Sequence, residues 1–173
     1  MSYLPNALSL SRLLLAALLL VAVQESQWWV AASLFAAAAI TDLADGYLAR
    51  RLGIASPLGG VIDHTCDAIF VTVALAALAA QALLHWLLPV LIPLAFIQYV
   101  VDSRIWAGLA LRASFLGRWN GVAYFVLAGY AIGVLVVGDE FLLQSVGWLA
   151  WVLIGSTVLS MLDRLLAVLR VVR

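Results

Sequence analysis

The segment TDLADGYLARRLGIASPLGGVIDHTCDAIF, Thr41–Phe70, carries four aspartates in a chain that is otherwise mostly apolar. They are Asp42, Asp45, Asp63 and Asp67, and the whole chain of 173 residues has only nine acidic residues. An aspartate in the middle of a membrane costs about 2.5–3.5 kcal/mol on insertion scales. Four carboxylates so close in sequence therefore indicate a shared ligand that offsets this cost.

The composition around this segment is that of a membrane protein. Hydrophobic residues make up 66% of the chain and charged residues only 10%, whereas soluble domains carry roughly 25% charged residues. A chain with so much apolar surface is expected to use the lipid bilayer as its solvent. The formal net charge is zero, so the charge gives no indication of binding to nucleic acid.

Six apolar stretches predict six transmembrane helices, because a spanning helix needs about 20 mostly apolar residues. The stretches are Ala7–Val23, Trp28–Ala49, Leu58–Leu84, Trp86–Ala107, Val122–Val137 and Phe141–Val168. The first and fifth are short for a span unless their flanks extend them. No linker or change of composition divides the chain, so residues 1–173 are expected to form one domain. The predicted fold class is an all-α integral membrane bundle.

The basic residues predict the orientation of this bundle. All nine are arginines, and with six spans and a cytoplasmic N-terminus every one lies at an inner loop or inner helix end. The predicted outer turns contain acidic residues and His85 but no arginine or lysine. The positive-inside rule then places the N-terminus and the four carboxylates on the cytoplasmic side. The expected location is the inner membrane of a bacterium.

The spacing of the aspartates predicts that they meet. Asp42 and Asp45 are three residues apart on the second predicted helix, and Gly59, Asp63 and Asp67 follow at intervals of four on the third. Residues at these intervals share one helix face, so two antiparallel neighbours direct their carboxylates into one space. Oxygen ligands favour Mg²⁺, Mn²⁺ or Ca²⁺ over zinc. A pair of divalent cations would offset the four negative charges.

Two other interpretations of the carboxylates remain open. They can form salt bridges between helices, with Arg50, Arg51 and Arg104 as partners. They can also belong to the cation pathway of a small carrier, because ionisable residues inside membranes often mark ion paths. Such a pathway would place ionisable groups at several depths, and the outer half of the predicted bundle has none.

The segment resembles the signature of the CDP-alcohol phosphatidyltransferases, D-x2-D-G-x2-A-R-x8-G-x3-D-x3-D. The chain matches all of its fixed positions, which are Asp42, Asp45, Gly46, Ala49, Arg50, Gly59, Asp63 and Asp67. The opening PNALSLSR, Pro5–Arg12, is similar to the family's P-N-x-[LI]-[TS]-x-x-R at the start of its first helix.

The resemblance implies an enzyme that transfers a phosphoryl-linked group from a CDP-activated donor to an alcohol and releases CMP. It implies two Mg²⁺ or Mn²⁺ ions held by Asp42, Asp45, Asp63 and Asp67, with Asp67 also acting as the general base. It assigns binding of the CDP donor to Gly46, Ala49, Arg50 and Gly59. A homodimer is a further expectation from the family.

The identity of the substrates is less well determined by the sequence. CDP-diacylglycerol suits a site inside the bilayer, and the expected acceptor is a small polar alcohol such as glycerol 3-phosphate. Arginines predicted at the inner ends of helices four and five are candidates for the acceptor's phosphate: Arg104, Arg112 and Arg118. The alternative is a soluble CDP-alcohol with a diacylglycerol acceptor. The sequence DHTCD at Asp63–Asp67 is similar to choline and ethanolamine phosphotransferases and departs from the D-P-x-A-D-K typical of phosphatidylglycerophosphate synthases.

Overall fold

The computed structural model describes residues 4–51, 57–102 and 115–171, which form six α-helices. They are α1 (Leu4–Gln24), α2 (Trp28–Arg51), α3 (Pro57–Ala80), α4 (Leu87–Asp102), α5 (Phe115–Val137) and α6 (Glu140–Val171). These described ranges contain no β-strand. The prediction of an all-α fold is therefore confirmed.

Five of the helices, α1, α2, α3, α5 and α6, are long and apolar enough to cross a membrane. Helix α5 begins at Phe115 and not at the predicted Val122, so its N-terminal flank gives it spanning length. The apolar part of α4 is shorter, Leu87–Val101, and residues 103–107 of the predicted fourth span lie outside the described residues. The five long helices make the chain an integral membrane protein.

Helix α3 ends at Ala80, before the predicted boundary at Leu84. Ala82 adopts the left-handed conformation with φ of 59°, and the Leu83 amide donates to the Leu78 carbonyl at 3.2 Å. This is the Schellman arrangement that satisfies the last carbonyls of a helix. It usually contains glycine, so an alanine at this position gave no signal in the sequence.

Three phenylalanine rings join the helices next to the aspartates. Phe35 of α2 lies 4.6 Å from Phe125 of α5 and 5.9 Å from Phe70 of α3, measured between ring centroids. Gly129 of α5 packs on the same cluster, and a Cβ there would lie 2.7 Å from a ring carbon of Phe35. Because Phe70 follows Asp67 by one helical turn, this packing also fixes the face that α3 directs toward the site.

Candidate active site

The four aspartates converge from two helices. Asp42 and Asp45 lie on α2, and Asp63 and Asp67 lie on α3. Ligand atoms of Asp42, Asp45 and Asp63 all lie within 4.8 Å of one another, and the same holds for the group of Asp63, His64 and Asp67. Asp63 belongs to both groups, so the cluster consists of two adjoining sets of possible metal ligands.

The guanidinium of Arg12, on α1, lies among these carboxylates. Its Nη1 donates to Asp42 Oδ1 at 2.6 Å and to Asp67. Its Nη2 donates to Asp45 Oδ2 at 2.8 Å and to Asp63. The Arg12 side chain is 0% exposed. A single buried cation from α1 is therefore shared by four carboxylates from α2 and α3.

These ion pairs correct the salt-bridge interpretation of the sequence. The aspartates do pair with an arginine, but it is Arg12 and not Arg51, whose side chain lies against Tyr47 instead. The side chain of Arg50 and the whole of Arg104 lie outside the described residues. The aspartates can contact an arginine on α1 because α1 packs against both α2 and α3.

Ser9 is a second polar residue of α1 at the site. Its hydroxyl donates to Asp45 Oδ2 at 3.0 Å and to Asp63 Oδ1 at 3.2 Å. Ser9 and Arg12 are three residues apart, which places them on one face of the helix. Sequence reasoning gave neither residue a role at the site. Both occupy fixed positions of the motif at Pro5–Arg12, which was the signal that could have identified them.

Two of the four aspartates, Asp42 and Asp67, line a cavity of about 660 Å³. Asp45 is 3% exposed, so it lies deepest, whereas the other three are 29–41% exposed. His64 lines the same cavity. Helices α4, α5 and α6 supply most of the remaining wall, whose polar residues include Gln98, Tyr99, Arg118, Asn120, Thr157 and Arg164.

The two arginines of this wall come from different helices. Arg118 of α5 was predicted to bind the acceptor, and it lines the cavity. Arg164 of α6 lines it as well, with its guanidinium carbon 5.0 Å from the centroid of the Tyr99 ring. Sequence reasoning did not propose Arg164 as an acceptor ligand. Arg104 and Arg112, the other predicted acceptor ligands, lie outside the described residues.

Buried polar contacts hold this wall together. The hydroxyls of Tyr124 and Thr157 lie 2.5 Å apart, linking α5 to α6. The Ser156 hydroxyl donates to Asn120 Oδ1 at 2.6 Å between the same two helices. Gln98 Nε2 donates to the Met161 carbonyl at 3.0 Å and links α4 to α6. Buried polar groups that are paired in this way specify one packing of the helices.

The residues predicted to bind the CDP donor flank the carboxylates. Gly46 follows Asp45 on α2, and Gly59 lies one turn before Asp63 on α3. Both glycines are partly buried. Ala49 and Arg50 continue α2 toward its C-terminal end, but their side chains lie outside the described residues.

A sequence profile of the CDP-alcohol phosphatidyltransferases matches residues 2–162. The chain belongs to this family. Two similar proteins are named CDP-diacylglycerol–glycerol-3-phosphate 3-phosphatidyltransferase. The one from Pseudomonas fluorescens is 33% identical over 126 residues, which cover 72% of this chain and 63% of the relative. The one from Cereibacter sphaeroides is 33% identical over 144 residues, which cover 78% and 63%.

A third relative is a probable phosphatidylglycerophosphate synthase of Mycobacterium tuberculosis. It is 32% identical over 108 residues, which cover 62% of this chain and 50% of that protein. The chain thus matches less than two thirds of the length of each of these relatives. The family that the sequence motif predicted is confirmed by the profile match.

The ligand atoms at the site fit a hard divalent cation. The carboxylate oxygens are the donors that Mg²⁺ and Mn²⁺ prefer, and they are grouped within 4.8 Å. The four carboxylates share one guanidinium, so the cluster has an excess of negative charge over the cation it contacts. Cys66 is buried beside Asp67, but its side chain belongs to neither group of ligand atoms.

Proposed function

We propose that the protein transfers the phosphatidyl group of CDP-diacylglycerol to glycerol 3-phosphate and releases CMP, in phospholipid biosynthesis. One observation carries this proposal: two aspartates of the carboxylate cluster and two arginines line the same cavity. The first group suits a metal-bound diphosphate, and the second suits a phosphorylated acceptor. The names of the relatives from Pseudomonas fluorescens and Cereibacter sphaeroides support the same pair of substrates.

The donor end of the site is assigned to α2 and α3. Asp42, Asp45, Asp63 and Asp67 would hold two divalent cations, Mg²⁺ or Mn²⁺. When bound, such ions neutralise the diphosphate and the charge that develops on the attacking and leaving oxygens. The remaining residues of the motif position the donor. Gly46, Ala49 and Gly59 leave room for cytidine beside the backbone, and Arg50 binds the diphosphate.

Asp67 is proposed as the general base because it also lines the cavity. It accepts the proton of the acceptor's hydroxyl group as the hydroxyl oxygen attacks the phosphorus that carries diacylglycerol. The bond from that phosphorus to the CMP oxygen breaks, and CMP leaves. A base within hydrogen-bond reach of the nucleophile is the requirement for this step. The acyl chains of the donor can remain in the bilayer throughout.

The acceptor end favours a phosphorylated alcohol over an aminoalcohol. Arg118 and Arg164 supply two guanidinium groups from α5 and α6, which suit a phosphate and repel the trimethylammonium of choline. Arg104 and Arg112 remain proposed partners from the sequence. A soluble CDP-alcohol with diacylglycerol as acceptor would bring no acceptor phosphate to these arginines.

We propose that the protein is a single domain of six spans in a bacterial inner membrane. Its N-terminus and its carboxylates would lie on the cytoplasmic side. The one-sided distribution of arginines supports this orientation, and a homodimer is proposed from the family. In a Cys66→Ala background, cysteines introduced at Glu25 and Asp139 should be labelled only from outside the cell. Labelling from the cytoplasm would reverse the orientation.

A panel of substrates tests the proposed reaction. Purified protein in lipid nanodiscs, with Mg²⁺ and CDP-diacylglycerol, should release CMP with glycerol 3-phosphate and much less with glycerol, inositol or serine. CDP-choline with diacylglycerol should give no CMP. Release of CMP only from CDP-choline, or equal rates with glycerol and glycerol 3-phosphate, would contradict the assignment of the substrates.

A further inference from the structure

Helix α1 contributes one charged residue to the bundle, and that residue lies at the centre of the site. Arg12 is the only charged side chain of Leu4–Gln24, and it is completely buried. Each of its terminal nitrogens contacts one carboxylate of α2 and one of α3. Arg12 therefore does more than pair with one aspartate, because it connects the two helices that carry the motif.

The guanidinium and a metal ion would draw on the same carboxylates. Asp42 Oδ1 and Asp45 Oδ2 accept from Arg12 at 2.6 and 2.8 Å, and both residues belong to one group of candidate metal ligands. A Mg²⁺ ion binds carboxylate oxygens at about 2.0–2.1 Å in near-octahedral geometry. A cation at that distance and a guanidinium between the same oxygens would overlap. Metal binding through these two oxygens therefore requires Arg12 to move away from them.

The hydrogen bonding of the Arg12 guanidinium is also incomplete. Its Nε is buried without a hydrogen-bond partner among the described residues. A buried donor that is left unpaired loses its hydration without compensation. This loss favours departure of the side chain once another cation offers the carboxylates stronger neutralisation.

We propose that Arg12 is an internal counter-cation that holds the four carboxylates in the metal-free protein and is displaced when divalent cations bind. This inference rests on the proposed metal site. In the metal-free protein Arg12 offsets the repulsion among the aspartates, so the bundle is stable before it acquires metal. The consequence is that the metals bind to a minor, Arg12-free population, which weakens their apparent affinity.

Two substitutions distinguish displacement of the Arg12 side chain by the metal from simple repulsion between the positive charge of Arg12 and the metal. Arg12→Gln removes the charge and the bridging contacts, whereas Arg12→Lys keeps the charge but cannot present two terminal nitrogens in one plane. Arg118→Gln is the matched control, because it removes a positive charge from the cavity that Asp42 and Asp67 line, and the salt bridges of the four carboxylates among the described residues are all to Arg12. All four proteins are compared in lipid nanodiscs.

The first readout is Mn²⁺ affinity by titration calorimetry. Arg12→Gln should bind Mn²⁺ at least about 10-fold more tightly than the unsubstituted protein, because no competing population remains. Arg12→Lys should lie between the two, and Arg118→Gln should change the affinity less than Arg12→Lys does. The Tm of Arg12→Gln in EDTA should fall below that of the unsubstituted protein, and its rise on adding metal should be larger.

Two patterns would overturn the inference. In one, Arg12→Lys binds Mn²⁺ as the unsubstituted protein does, while Arg12→Gln and Arg118→Gln tighten binding equally. Charge alone would then explain the affinity. In the other, Arg12→Gln lowers Tm by the same amount with and without metal and leaves Mn²⁺ affinity unchanged. Arg12 would then have only a structural role.

A measurement on the unsubstituted protein does not depend on whether these variants fold. With ¹⁵N-labelled arginine, the buried guanidinium should give slowly exchanging N–H signals in EDTA, and saturating Mg²⁺ should abolish or shift them. Persistence of the signals unchanged while calorimetry records Mg²⁺ binding would overturn the inference and leave the proposed function intact. CMP release at full rate in EDTA, with no metal binding by any variant, would overturn both.

Discussion

The two ends of the cavity differ in how the sequence encodes them. The carboxylate end comes from one short segment, Asp42–Asp67, in which fixed intervals on two adjoining helices bring the side chains together. The arginine end comes from Arg118 and Arg164, isolated residues on α5 and α6 that only the packing of those helices brings to the same cavity. The residues proposed to bind the donor can therefore be predicted from a local motif, whereas the residues proposed to bind the acceptor are brought together only by the tertiary structure.

Substitutions of the aspartates should give the largest effects on turnover. Individual aspartates should differ in whether donor binding is lost as well. Asp67→Asn removes the proposed base but keeps the size of the side chain, so turnover should fall roughly 10²–10⁴-fold with near-normal donor affinity. Asp45→Asn should weaken metal and donor binding together, because Asp45 is the deepest carboxylate and contacts both Ser9 and Arg12. CMP release measures turnover, and calorimetry measures donor binding.

Asp139→Asn is the matched control, since Asp139 lies in the exposed turn before α6 and asparagine can keep its contact to the Leu142 amide. It should leave both readouts unchanged. If Asp67→Asn loses donor binding as severely as Asp45→Asn, all four carboxylates are better described as ligands. Normal turnover by Asp67→Asn would exclude it as the base.

The arginine end should affect the acceptor and not the donor. Arg164→Gln should raise the KM for glycerol 3-phosphate roughly 10–100-fold, as expected for loss of a charge-assisted contact worth about 1.5–3 kcal/mol. The KM for CDP-diacylglycerol should stay within about twofold, and Arg164→Lys should recover part of the loss. An equal rise in both KM values would show that Arg164 acts on the helix packing and not on the acceptor.

The packing of α5 on α2 should give the smallest effect, and that effect should be on stability. Gly129→Ala places a Cβ 2.7 Å from a ring carbon of Phe35, and that ring is held by Phe125 and Phe70. Overpacking of this kind costs about 1–3 kcal/mol. Gly133→Ala is the control one turn later, with nothing within 4 Å of the new Cβ. Thermal unfolding in detergent should show a lower Tm only for Gly129→Ala.

The sequence was sufficient for the family, for the helical fold and for the four aspartates, because these depend on composition and on intervals along single helices. It was not sufficient for Arg12, Ser9 and Arg164. A lone arginine in an apolar helix has the same appearance whether it lies at an inner interface or contacts a buried carboxylate. Only the packing of α1 against α2 and α3 distinguishes these cases.

The end of α3 shows the same limit on a smaller scale. Ala82 adopts a left-handed conformation that normally requires glycine, so the sequence predicted continuation of the helix to Leu84. Helix α5 differs in the other direction, because it begins at Phe115 and the predicted start at Val122 was too late. Its first turns contain polar residues, including Arg118 and the buried Asn120, and these interrupt the continuous apolar run from which the span was predicted.

The central claim is that the carboxylate cluster is a divalent-metal site that drives CMP release. The most direct measurement is CMP release from CDP-diacylglycerol and glycerol 3-phosphate by purified protein, first in EDTA and then after addition of Mg²⁺ or Mn²⁺. The account predicts no release in EDTA and recovery of turnover with either metal, but no recovery for Asp45→Asn at the same metal concentration. Full turnover in metal-free buffer would contradict it.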